Sequence, residues 1–150
     1  MFTNLDPSAA YQEIDRHGNI EDASPHKLVE LLYDTAIERL NQAMGALERN
    51  DMAAKGASIG KAISIIEELR RTLDMEQGGE VAETLHALYE YMKERLLTAN
   101  LTNDAEILQE CKGHIETLLD GWRQIPGDIQ QEFANRQRSA PEAGIMTAGR

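Results

Sequence analysis

Apolar residues return at the 3.6-residue spacing of a helix in four separate stretches of this chain. The first stripe is Val29, Leu32, Tyr33, Ala36, Leu40, Met44 and Leu47, and the second is Ile59, Ala62, Ile63, Ile66, Leu69 and Leu73. The third is Val81, Leu85, Leu88, Tyr89, Met92, Leu96 and Ala99, and the fourth Ile107, Leu108, Cys111, Ile115, Leu118, Trp122 and Ile125. Nowhere does a period-two alternation persist, so strands are not expected. The pattern predicts an all-α fold.

Breakers and caps fall between the stripes. Ser24-Pro25 starts the first helix sharply: a serine hydroxyl accepts from the open N–H groups of the first turn, and proline at the first position loses no hydrogen bond. Asn50-Asp51 ends that helix and caps the next, Gly78-Gly79 separates the second from the third, and Asn100 to Asn103 forms a short connection. Asn103 or Asp104 caps the last helix, which Pro126-Gly127 stops. Four helices of roughly 20 residues with such short connections pack as an antiparallel up-and-down four-helix bundle. The bundle is expected over residues 23–126. Before it, residues 1–22 read as an N-terminal arm with a short helix between Asp6-Pro7-Ser8 and His17-Gly18-Asn19. After it, residues 127–150 read as a partly disordered tail.

The net charge of −11 speaks against nucleic acid and anionic membranes, which need clustered Lys and Arg. No basic region followed by an apolar run opens the chain, and no apolar stretch approaches the roughly 20 residues that span a bilayer. A cytoplasmic location without membrane insertion follows as the expectation. Cys111 is the single cysteine and sits on an inner stripe, which suggests an inert buried thiol.

No catalytic constellation emerges. Glu83-Thr84-Leu85-His86 has the Glu-x-x-His spacing of half a di-iron site, but one copy facing away from the apolar stripe is not enough. His114 reads as a hydrogen-bonded residue at the core edge, and Gly78-Gly79-Glu80 lacks the Lys-Ser/Thr pair of a phosphate loop. Glu67-Glu68 and Glu21-Asp22 are expected on solvated surface. Neither an enzyme, a metal nor a cofactor is expected.

What remains is surplus apolar surface. Leu28 and Leu31 lie a quarter to half a turn off the first stripe, and Ile65, Tyr91 and Leu97 fall off theirs. With Tyr11 on the arm, these are the candidate partner-binding residues. The bland alternative for each is a place in an asymmetric core or a homodimer seam. For Tyr11 the alternatives are simple packing on the bundle end, or an arm that covers the apolar surface near Leu28 and Leu31 until a partner replaces it.

Several motifs converge on one family. Tyr11, Ala23-Ser24-Pro25-His26-Lys27-Leu28 with Leu32-Tyr33-Asp34, and Leu73-Asp74-Met75-Glu76-Gln77-Gly78-Gly79-Glu80 occur in order with Leu88-Tyr89-Glu90-Tyr91-Met92 and Leu97-Thr98-Ala99-Asn100. Over residues 8–125 the chain resembles the flagellin export chaperone family, FliS, departing from it at Thr35, where the family commonly has glycine. The resemblance implies a cytoplasmic bundle that binds the C-terminal segment of flagellin, prevents its premature polymerisation and assists its delivery to the flagellar export gate. It further implies that the arm with Tyr11 lies against part of the flagellin surface. Two rival readings use the same surface: a helical homo-oligomer without a client, and a regulator that titrates another flagellar protein such as an anti-sigma factor.

Overall fold

The computed structural model describes residues 24–125. Four helices follow one another: α1 Pro25–Glu48, α2 Met52–Arg71, α3 Gly79–Thr102 and α4 Ala105–Gln124. The expected arm, with Tyr11, and the expected tail lie outside the described residues.

The helices begin where the capping chemistry places them. The Ser24 hydroxyl accepts from the Lys27 N–H at 3.3 Å, and Pro25 opens α1. Asp51 accepts from the Ala54 N–H at 3.1 Å to start α2, and Asp104 accepts from Glu106 and Ile107 to start α4. Asn50 (φ 57°) and Asn103 (φ 54°) take the left-handed conformation that ends a helix, one asparagine before each capping aspartate. The connection between α3 and α4 is therefore shorter than expected: α3 runs on through Thr102, because Asn103 alone makes the turn. The α2–α3 turn is held by Asp74, whose carboxylate accepts from the Glu76 and Gln77 N–H groups at 3.2 and 3.0 Å. Gly79 has φ +58°, a backbone that glycine adopts without strain.

Neighbours in the chain are neighbours in the bundle, and α4 closes the ring against α1. The Trp122 Nε1–H donates to the His26 carbonyl at 2.9 Å, which sets the end of α4 beside the start of α1. Lys55 donates to the Asn100 carbonyl at 2.8 Å and to Asn103 Oδ1 at 2.7 Å, which sets the start of α2 beside the end of α3. Antiparallel packing follows. Leu32, Leu40, Ile59, Ile63, Ile66, Leu69, Met92, Leu96 and Leu108 fill the core, each burial contributing on the order of 1.5–3 kcal/mol.

Several expectations about faces need correction. Val81 is 64% exposed instead of lying in the core, Leu119 is buried where Leu118 was expected, and Met44 and Leu47 are half-buried. The whole run 62–69 of α2 is buried, since α1 and α3 flank it. This includes Glu67 and Glu68, which are not solvated surface. Glu67 takes hydrogen bonds from Arg70 and, at 2.5 Å, from Lys93 of α3, while Glu68 pairs with Arg71. A carboxylate enclosed by cations keeps its charge: burial pushes Glu67 up, but the bonds from Arg70 and Lys93 outweigh it and hold the group at about 2.

Candidate partner-binding surface

Leu28 and Leu31 stand in the first two turns of α1, half-buried and packed against the core from outside. Between them and the next turn, Thr35 is fully buried and its hydroxyl donates to the Leu31 carbonyl at 2.7 Å. A glycine there would leave that carbonyl with its helical bond alone, so the Thr35 hydroxyl adds a tie under Leu31. Arg123 of α4 bridges Glu30 at 2.9 Å and Asp34 at 3.2 Å on the neighbouring turns. Together with the Trp122–His26 bond this anchors the start of α1.

Tyr91 is 44% exposed on α3 and is pinned in place. Its hydroxyl donates to Glu110 Oε2 of α4 at 2.6 Å, and its ring meets His114 edge-on with centroids 6.1 Å apart. Glu110 also takes Arg95 at 3.1 Å and the His114 Nε2 at 3.1 Å. Hydrogen bonds from Tyr91 and His114 hold the Glu110 carboxyl below its usual range, and the bond to Glu110 raises the Tyr91 phenol. A rigid, half-exposed tyrosine beside an arginine is the composition of an interface anchor, because little rotamer freedom is left to lose on binding.

The other candidates separate. Leu97 is half-buried against the core in the second half of α3. Ile65 is not off the core: it is 0% exposed within the core cluster, so the expectation that it offers a contact is corrected. It lies off the α2 apolar stripe, but α2 is buried on more than one side. Leu28 and Leu31 do not converge with Tyr91 into one patch; they mark separate helices.

Among the described residues no group of three or more His, Cys, Asp or Glu side chains is placed to hold a metal ion. Glu83 is exposed and His86 half-buried. Cys111 is fully buried with its thiol pushed up to about 12 by burial, which leaves no thiolate for chemistry at neutral pH. No described helix is long and apolar enough to cross a membrane. The Glu110 hub was missed in the sequence because its partners lie on two helices; only the aromatic Tyr91 drew notice.

Residues 7–128 match the family model described as flagellar protein FliS. The chain belongs to the FliS family. It is 46% identical over 112 residues to the flagellar secretion chaperone FliSB of Pseudomonas aeruginosa, covering 75% of this chain and 89% of that one. To the flagellar secretion chaperone FliS of Salmonella typhimurium it is 44% identical over 117 residues, 77% of this chain and 87% of the relative. The Bacillus subtilis flagellar secretion chaperone FliS is 34% identical over 133 residues, 89% and 93% of the two chains. The matched span takes in every described residue.

Proposed function

We propose that this chain is a cytoplasmic secretion chaperone that binds the C-terminal segment of flagellin, keeps it from polymerising and helps bring it to the flagellar export apparatus. The observation that carries the reading is apolar surface left outside the core on separate helices, Leu28 and Leu31 on α1 and Tyr91 and Leu97 on α3, in a chain of the FliS family. An unfolded client segment folds as it lays its apolar side chains along grooves between helices. Ordering such a segment costs about 2–5 kcal/mol of the gross contact energy, so contacts spread over several helices suit tight binding better than one compact patch. The chaperone then acts by occupancy: what it covers cannot assemble.

The test is calorimetric titration of the purified protein with a synthetic peptide of its host's flagellin C-terminal segment, with peptide helicity followed alongside. One-to-one binding with a negative heat-capacity change and gained helix is the expected result. Leu31→Asp is expected to weaken binding while helix content holds. A folded protein that does not bind the peptide would overturn the reading.

A further inference from the structure

The four seams of the bundle are not fastened alike: α1 and α2 pack most closely, α3 and α4 least. On its side away from α4, α3 is held to α2 by Lys93 on Glu67, by Arg70 against Glu90 at 3.6 Å, and by Lys55 on the Asn100 carbonyl and Asn103. On its side away from α3, α4 is held to α1 by the Trp122 indole on the His26 carbonyl and by Arg123 on Glu30 and Asp34. Each of the two helices is thus tied harder to its other neighbour.

Between α3 and α4 the charged and hydroxyl ties among the described residues converge on Glu110. It takes the Tyr91 hydroxyl at 2.6 Å and Arg95 at 3.1 Å, and it holds His114, whose ring meets Tyr91 edge-on. The Glu110 side chain is 31% exposed, so water competes for every one of these bonds. Beneath it the Cys111 thiol lies 4.0 Å from the Met92 carbonyl, a weak contact. Past Glu110 the helical register sets Leu118 and Gly121 of α4 against Leu88, Thr84 and Val81 of α3. Leu88 and Leu118 are half-buried, Thr84 and Val81 are exposed, and a Cβ built on Gly121 meets nothing within 4 Å. Little contact between the two helices is lost when this half of the seam parts.

We infer that the bundle opens along the α3–α4 seam, α4 staying on α1 and α3 on α2, with Glu110 as the latch. The α1–α2 pair is then the spine, and the Tyr33–Tyr89 bond inside the core limits how far the two halves separate. Releasing one exposed hub costs less than dissolving the core, so the open state is reached without global unfolding. It presents the inner strip around Met92 and Cys111, which the closed bundle buries completely, and the latch sets how often that strip is on offer to a partner. The inference does not depend on which client the chain takes.

The chain carries its own probe of this motion. Cys111 is the single cysteine and is fully buried on this seam, so an alkylating reagent reaches it only when the seam parts or the chain unfolds. Full-length protein is labelled with iodoacetamide at mildly alkaline pH over a range of urea concentrations below the unfolding transition, labelling is read by mass spectrometry, and global unfolding is measured in parallel. Labelling is expected to depend on urea less steeply than global unfolding does, because the opening exposes less surface. Glu110→Gln is expected to raise the native labelling rate about tenfold, and Tyr91→Phe, which removes one hydroxyl, about threefold. Glu67→Gln in the α2–α3 seam and Arg123→Gln in the α1–α4 seam are expected to leave that rate unchanged, since both ties persist in the open state. Labelling with the full urea dependence of global unfolding would overturn the proposal, as would a rate that neither Glu110→Gln nor Tyr91→Phe raises. Acceleration by Glu67→Gln or Arg123→Gln as large as that by Glu110→Gln would also overturn it, because Cys111 would then be reached by loss of the whole fold or by detachment of α4.

Discussion

The hydroxyls of Tyr33 on α1 and Tyr89 on α3 are 2.6 Å apart inside the core, joining two helices that face each other across the bundle diagonal. Both side chains are almost fully enclosed, and burial raises both phenols, Tyr89 well above its ordinary value. The bond fixes the level at which the two helices pass, since neither hydroxyl tolerates burial alone. Tyr89→Phe is expected to destabilise the fold by about 1–3 kcal/mol, read as a lower urea midpoint at unchanged slope. Adding Tyr33→Phe is expected to return part of that loss, because no unpaired hydroxyl then remains.

Acid should weaken the α2–α3 contact through Glu67. Its folded carboxyl titrates at about 2, below the roughly 4.3 of an unfolded glutamate. A depressed folded value contributes stability above the unfolded pKa, and that contribution is lost as pH falls through about 4 towards 2. Urea midpoints taken across this range are expected to drop with acid in the wild type. In Glu67→Gln the drop is expected to be shallower and the neutral-pH stability lower by about 1–3 kcal/mol.

The α2–α3 turn has no room at Gly78. A methyl group there would sit 2.5 Å from Ala82 Cβ in the first turn of α3 and 2.6 Å from the Asp74 carbonyl in the turn before it. Gly78→Ala is expected to cost roughly 1–3 kcal/mol, measured by thermal or urea unfolding, although φ at this position is an ordinary −74°. A neutral result would mean that the turn shifts freely.

The cap at the start of α1 is separable from the core. Ser24→Ala removes the acceptor of the Lys27 N–H and is expected to lower stability by about 1 kcal/mol. If client binding runs along α1 past Leu28, the same variant is expected to weaken the flagellin peptide's affinity, which calorimetry would show.

Helix existence and ends were legible along the chain because caps and turns are local chemistry. Ser24, Asp51 and Asp104 accept from N–H groups two or three residues away, and Asn50 and Asn103 turn the chain at the next residue, so no distant partner is needed to place them. The family was legible for the same reason: ordered motifs survive in one dimension. Which residues face a partner was not, because an apolar stripe reports one side of a helix and says nothing of how many neighbours the helix has. Ile65 lies off the α2 stripe yet is enclosed, since α1 and α3 flank that helix, while Val81 lies on the α3 stripe yet is exposed, since α3 and α4 pack least. Glu67 and Glu68 read as surface and are buried because Lys93, 26 positions along the chain from Glu67, and the arginines of their own helix surround them. Charge pairing and helix spacing across the bundle are properties of the packed chain, and they decide which apolar groups remain for a client.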